Sequence, residues 1–372
     1  MNLTSSPSIL CPHCAAKDQL GKWLPHPESL TLLSLPATLE LQERVKAVTL
    51  QGWAESTHAT YGAGLLVFHI FCDSRGILEK DRTPANAALV PSFVSALTGS
   101  LSGKAIHNYV YSVRAWHTTY GLPWVLHEDQ IATMLKGAAR LAPPAIKQDK
   151  RKPVTIQMMS LIKDKIDQAS PFDTAFFASH TTTFYMAAHV GEFTLLRLNA
   201  FNPAEHITVG DMRNDIDRNG LHTKGFALPC TKSSPAGKEV HWAKQDGPMD
   251  PSRAFDKHLE INNPPISGPL FAYKTTKGYC PLTWQTFIIR INKFSQAAGL
   301  DCLHRHSICI GTTLEYLLWG VPFDVMKVKG HWASDAFQLY LWKHNQILAP
   351  YMQSMPPETG LEFTRLAMLP VC

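Results

Sequence analysis

The chain has no run of 18 apolar residues, so no membrane-spanning helix is expected. Its first residues, MNLTSSPSILCPHC, lack a charged stretch followed by an apolar one, and no secretory signal is expected either. Disorder over the whole length is excluded by composition, because 45% of residues are hydrophobic and only 17% are charged. Eight cysteines at scattered spacings give no disulfide framework, which fits a reducing intracellular compartment. Cys11 and Cys14 form one CxxC around His13, but no second pair follows at zinc-finger spacing, so a chance or surface pair is the preferred reading and no metal is expected. Also missing are a Gly-rich phosphate loop, an internal repeat and a repeated βαβ unit.

A length of 372 residues exceeds one ordinary core and points to two domains. Residues 1–39, rich in Ser, Pro and Thr, read as a flexible N-terminal arm. Residues 40–141 are helical in pattern. TYGAGLLVFHIFCDSRG has apolar residues at three and four spacing, stops at Gly76 and has Ser56 or Thr57 as candidate caps. In KAIHNYVYSVRAWHTTYG, Ile106, Tyr109, Val110, Val113, Trp116 and His117 share one face, while Lys104, His107 and Arg114 are candidates for a phosphate-facing side. A third helix is expected over Glu128–Arg140.

LAPPAIKQDKRKPVT then breaks the pattern, and residues 142–153 read as a linker. Its basic cluster, Lys147, Lys150, Arg151 and Lys152, is either a solvated charge run or a contact to a nucleic-acid backbone. Residues 154–350 begin with helices and show two alternating runs around a Ser-Ser-Pro-Ala-Gly turn. Helical pattern returns at Pro281–Gly299 and Ser307–Trp319, and residues 351–372 form a tail. The fold class expected is α+β, mostly helical, with a small antiparallel sheet. Net charge of +5 suits a nucleic-acid partner but suits many soluble enzymes equally.

Two C-terminal motifs remain: HSIC, His306 to Cys309, and GHWASDAFQLY, Gly330 to Tyr340. Taken singly, Tyr340 is more often a helix core residue, and His306 and His331 are more often structural. HRH at residues 304–306 has no third ligand at a familiar spacing. Together with HVGEFTLLRLNAF and LPCTKSS, and in this order, they change the odds. The sequence resembles the tyrosine recombinases, the phage-integrase class, and looks most like the recombinases of fungal Crypton-type transposable elements. The resemblance covers almost the whole chain, with WAESTHATYGAGLLVFHIFCDSRGI similar to the helical, SAM-like core-binding domain.

That resemblance implies a two-domain clamp on double-stranded DNA, self-association on DNA, DNA integration or recombination through a 3'-phosphotyrosine, no cofactor, no metal and a nuclear location. Tyr340 would be the nucleophile, Lys232 the general acid for the leaving 5'-oxygen, His306 an aid to proton transfer and His331 a phosphate ligand beside Trp332. Such a site must meet charge growing on nonbridging phosphate oxygens with positioned cationic donors. Arginine suits this because its fork donates two parallel hydrogen bonds and keeps its charge.

Both arginines of the pattern are absent. His189 stands first in the R-x-G-E motif, ahead of Glu192, and Cys309 ends the H-x-x-R motif. Losing one such donor costs roughly a hundred- to a thousandfold in rate, so cleavage is expected to be severely impaired. Arg305 and Arg197 are neighbours that spacing does not require to compensate. Cys and His are single-transition products of arginine codons beginning CG, so decay of a silenced transposon copy is one account of the losses and ordinary divergence is another. The alternative to an impaired recombinase is a DNA-binding remnant without the chemistry.

Overall fold

The computed structural model describes residues 5–30, 38–146, 151–231, 234–332 and 344–352. The chain divides into two compact units, Met1–Asp149 and Lys150–Cys372, each with its own apolar core.

The first unit is helical: α1 (Ala16–Lys22), α2 (Pro27–Leu30), α3 (Leu39–Gln51), α4 (Glu55–Ser74), α5 (Leu89–Leu97), α6 (Gly103–Thr119) and α7 (Glu128–Arg140). Helix α6 buries Ile106, Val110, Val113, Trp116 and His117 on one face, as the 3.6-residue period requires. The segment expected to be a flexible arm differs. Leu20 and Trp23 are buried in the core, Trp23 Nε1 donates to Pro12 O at 2.9 Å, and Trp116 Nε1 donates back to Trp23 O at 2.8 Å. Two large apolar side chains with satisfied polar groups outweigh a Ser/Pro-rich composition. Gly62 lets α1 lie directly on α4, since a Cβ there would stand 1.8 Å from Ala16 O.

Ser56 and Thr57 do not cap α4. The cap position is Ala54, whose carbonyl accepts from Thr57 and His58, and both hydroxyl residues fall in the first turn. The entry is fixed instead by Trp53, whose ring stands edge-on to those of His58 and Tyr61.

The second unit opens with α8 (Ile156–Lys163), α9 (Pro171–Tyr185) and α10 (Val190–Phe193). Strands β1 (Met212–Ile216), β2 (His222–Leu228) and β3 (Lys238–Ala243) form an antiparallel sheet in sequence order, with Met212 opposite Phe226 and Phe226 opposite Val240. Then come α11 (Pro251–Asn262), the hairpin of β4 (Tyr273–Thr275) and β5 (Gly278–Cys280), α12 (Trp284–Ala297), α13 (Arg305–Leu318), α14 (Phe323–Lys329) and α15 (His344–Met352).

Helix α9 is the axis of this unit. Ser170 caps it, Pro171 occupies its first turn, and every residue from Asp173 to Tyr185 is buried, as a helix surrounded on all sides requires. Asp173, at its start, is held by Arg290 of α12. Helix α13 is fastened to its other end, where Thr312 Oγ1 donates to Phe184 O and Tyr316 OH to Tyr185 O, both at 2.8 Å.

Gly311 lets the chain enter this unit across α13. Val154 N donates to Ser307 O at 2.9 Å, and a Cβ on Gly311 would lie 1.8 Å from Val154 O. Gly311→Ala is therefore expected to force the entering strand off the helix and cost about 1–3 kcal/mol, measured as a lowered denaturation midpoint; an unchanged midpoint would contradict this packing.

Candidate active site

The two histidine motifs hang from two helix ends of the same design. At the end of α9, Ala188 N donates to Thr183 O and Ala187 N to Phe184 O, the paired bonds of a Schellman cap, with Ala187 in the left-handed conformation at φ 56°. The turn delivers His189 to the start of α10. There Glu192 closes a capping box, its Oε2 accepting from His189 N at 3.1 Å.

At the end of α14 the same bonds recur: Trp332 N donates to Lys327 O at 3.1 Å and His331 N to Val328 O at 3.0 Å. Here the left-handed residue is His331 itself, at φ 51°. A non-glycine held in this region stores strain and is commonest at functional positions. Trp332 lies over Gly330 so closely that a Cβ there would stand 2.4 Å from the indole ring. Gly330 is thus required by the tryptophan that follows the histidine.

Helix α13 completes the group. Cys309 Sγ donates to Ala188 O at 3.3 Å and lies 3.3 Å from His189 Nδ1, so the two positions that lack arginine touch each other. One turn earlier, the His306 ring stands edge-on to that of His189, centroids 6.0 Å apart. Burial pushes the Cys309 thiol up to about 12, with the Glu192 carboxylate adding to the effect and Lys238 opposing it. Cys309 is therefore a neutral thiol at neutral pH. It neither attracts phosphate nor repels it as a thiolate would.

The fourth side of the group is β3. Lys238, Val240 and Trp242 alternate onto its inner face, and Lys238 Nζ donates to Glu192 Oε1 at 2.7 Å, with the two side chains only 9% and 10% exposed. His331 belongs to the same neighbourhood. Burial lowers its pKa first and the charge of Lys238 next, while Glu192 and a hydrogen bond to the Glu239 backbone raise it.

His189, Glu192, His306, Cys309 and His331 are thus gathered from α10, α13 and the end of α14. Lys238 joins them although motif matching passed over it. Its sequence signal was a lysine in register with two buried residues of an alternating strand. Tyr340 and Lys232, and with them Lys147 and Lys150, lie outside the described residues. Thr231 and Ser234, which flank Lys232, close the turn with Thr231 N donating to Ser234 O at 2.9 Å. Arg197 is exposed, and the Arg305 side chain lies outside what is described.

The other candidate DNA contacts belong to other elements of the chain. Lys104 and His107 are exposed on α6, where His107 stacks on Tyr111 at 4.4 Å, and Arg114 on the same face pairs with Glu128 at 2.8 Å. Arg151 is exposed, and Lys152 pairs with Asp301.

No family model matches the sequence, and no curated protein matches it. Solved structures do. A XerH site-specific recombinase bound to palindromic difH substrate, a post-cleavage complex, superposes with a TM-score of 0.52 over 80% of this chain and 80% of that one, at 11% identity. The pre-cleavage complex of XerH with difH substrate gives 0.50 over 92% and 99%, at 12% identity. The fold is that of the tyrosine recombinases, mostly helical with a small antiparallel sheet.

The burial of Cys309 gives a direct test. Iodoacetamide at pH 8 should modify the exposed Cys230 and Cys302 well before Cys309 in the folded chain, and denaturation should equalise the rates. Equal rates in the folded chain would show a reactive thiol at this position.

Proposed function

We propose that the chain is a DNA-binding, tyrosine recombinase-like protein whose strand cleavage is severely impaired. The observation that carries this reading is the convergence of HVGE, HSIC and GHW, far apart in sequence, on one group of side chains beside β3. The fold likeness supports it, since the XerH structures are of a site-specific recombinase on its DNA substrate. Tyr340 would attack a phosphodiester and hold a 3'-phosphotyrosine. Lys232 would protonate the departing 5'-oxygen, His306 would assist proton transfer and His331 would bind the phosphate.

The impairment follows from charge. A nonbridging oxygen gains negative charge as the phenolate attacks, and a neutral thiol buried at Cys309 offers nothing to meet it. His189 offers an imidazole where a guanidinium fork would donate two parallel bonds. Binding is less affected, because affinity for duplex DNA is spread over many phosphate contacts. Lys104, His107, Arg114, Lys147, Lys150, Arg151 and Lys152 are the contacts we assign to it. Both units would contact the duplex, and protomers would pair on it. An origin in a Crypton-type element and a nuclear location belong to the same reading.

A nicked suicide duplex from the DNA flanking the gene tests this. Wild-type protein should give no denaturation-resistant DNA adduct, and His189→Arg/Cys309→Arg should give one that Tyr340→Phe abolishes. A wild-type adduct would overturn the impairment, and its absence from a folded double revertant that binds the duplex would overturn the assignment of the site.

A further inference from the structure

Lysine is an improbable residue on the inner face of a strand unless it is paired, and Lys238 sits in line with Val240 and Trp242, which are 3% and 2% exposed. Its ammonium has three donors, and among the described residues Glu192 is its one hydrogen-bond partner. Glu192 in turn uses both oxygens, one for Lys238 and the other for the amide of His189. The carboxylate therefore acts as a bracket that fixes an ammonium beside the start of α10. The position is also electrostatically central. The charge of Lys238 is felt by the Cys309 thiol on α13 and by the His331 imidazole after α14, while Glu192 joins α10 to β3.

We propose that Lys238 is a phosphate-binding residue of this site: its ammonium, held by Glu192 beside His189, Cys309 and His331, donates to a nonbridging oxygen of the bound phosphodiester. It supplies one positive charge where the two guanidinium groups are gone. The proposal rests on the reading of duplex DNA as the ligand. A lysine supplies a point charge without the planar fork, so it would keep the phosphate in place and leave the transition state poorly met.

The test uses the full chain and a fluorescein-labelled duplex from the DNA flanking the gene, titrated by anisotropy over a salt series. Glu192→Gln is compared with Glu192→Gln/Lys238→Met, which removes both charges together and leaves no orphaned ion in the core. If that double variant does not fold, Lys238→Gln is compared with wild type. Lys257→Met, at an exposed lysine paired with Glu260 in its own helix, is the control for charge loss alone.

Loss of one phosphate contact should make the negative slope of log Kobs against log salt shallower by about 0.9. That loss is expected when Lys238 is replaced, with Lys238→Arg retaining the wild-type slope and Lys257→Met losing less. An unchanged slope on replacing Lys238, or an equal loss in Lys257→Met, would overturn the phosphate-binding role while leaving DNA binding intact. Absence of salt-dependent binding by the wild type would overturn the DNA reading, and this proposal with it.

Discussion

The buried ion pair of Glu192 and Lys238 is the constraint on which the rest of the site depends. One carboxylate caps α10 through the amide of His189 and holds the first residue of β3, so a helix start and a sheet edge are fixed to each other by a single side chain. Helix α13 docks against the same corner through the Cys309 bond to Ala188 O. Removing either partner would strand a charge that is about nine-tenths buried, a change that typically costs about 3–5 kcal/mol. The corner is therefore stiff, and stiffness is what a phosphoryl-transfer site requires of its donors.

The same corner shows how the two positions at which the recombinase pattern would have arginine are filled. Cys309 leaves no void: its thiol bonds the Ala188 carbonyl and touches His189, so the packing is closed around a neutral group. Histidines remain at three points, and His331 is kept in a left-handed turn by Gly330 and Trp332. Under the proposed reading, the placement of the phosphate site would be set by helix caps and glycines rather than by the residues at positions 189 and 309.

Much of this was legible in the sequence, for reasons that can be located. The inward face of α6 followed from apolar spacing, and β2 and β3 followed from alternation around a turn. The N-terminal segment departs from the expectation because composition averages over residues, whereas burial there rests on a few of them, Cys11, Leu20 and Trp23. Strand β1 left no trace, since four of its five residues are exposed and it pairs through backbone bonds only at the sheet edge. The cap of α4 was placed on hydroxyl residues that fall inside the helix, because an aromatic contact at Trp53 sets the start instead. Lys238 escaped because motif matching ranks residues by identity, while its role is visible only in register with Val240 and Trp242 and opposite Glu192.

A crystal structure of the full chain bound to its duplex would test the central claim most directly. The account predicts a phosphate whose nonbridging oxygens lie about 3 Å from Lys238 Nζ and the His331 ring, with no guanidinium in contact. An arginine donating to that phosphate, from Arg197, Arg305 or a neighbouring copy, would contradict it and restore the expectation of an active enzyme.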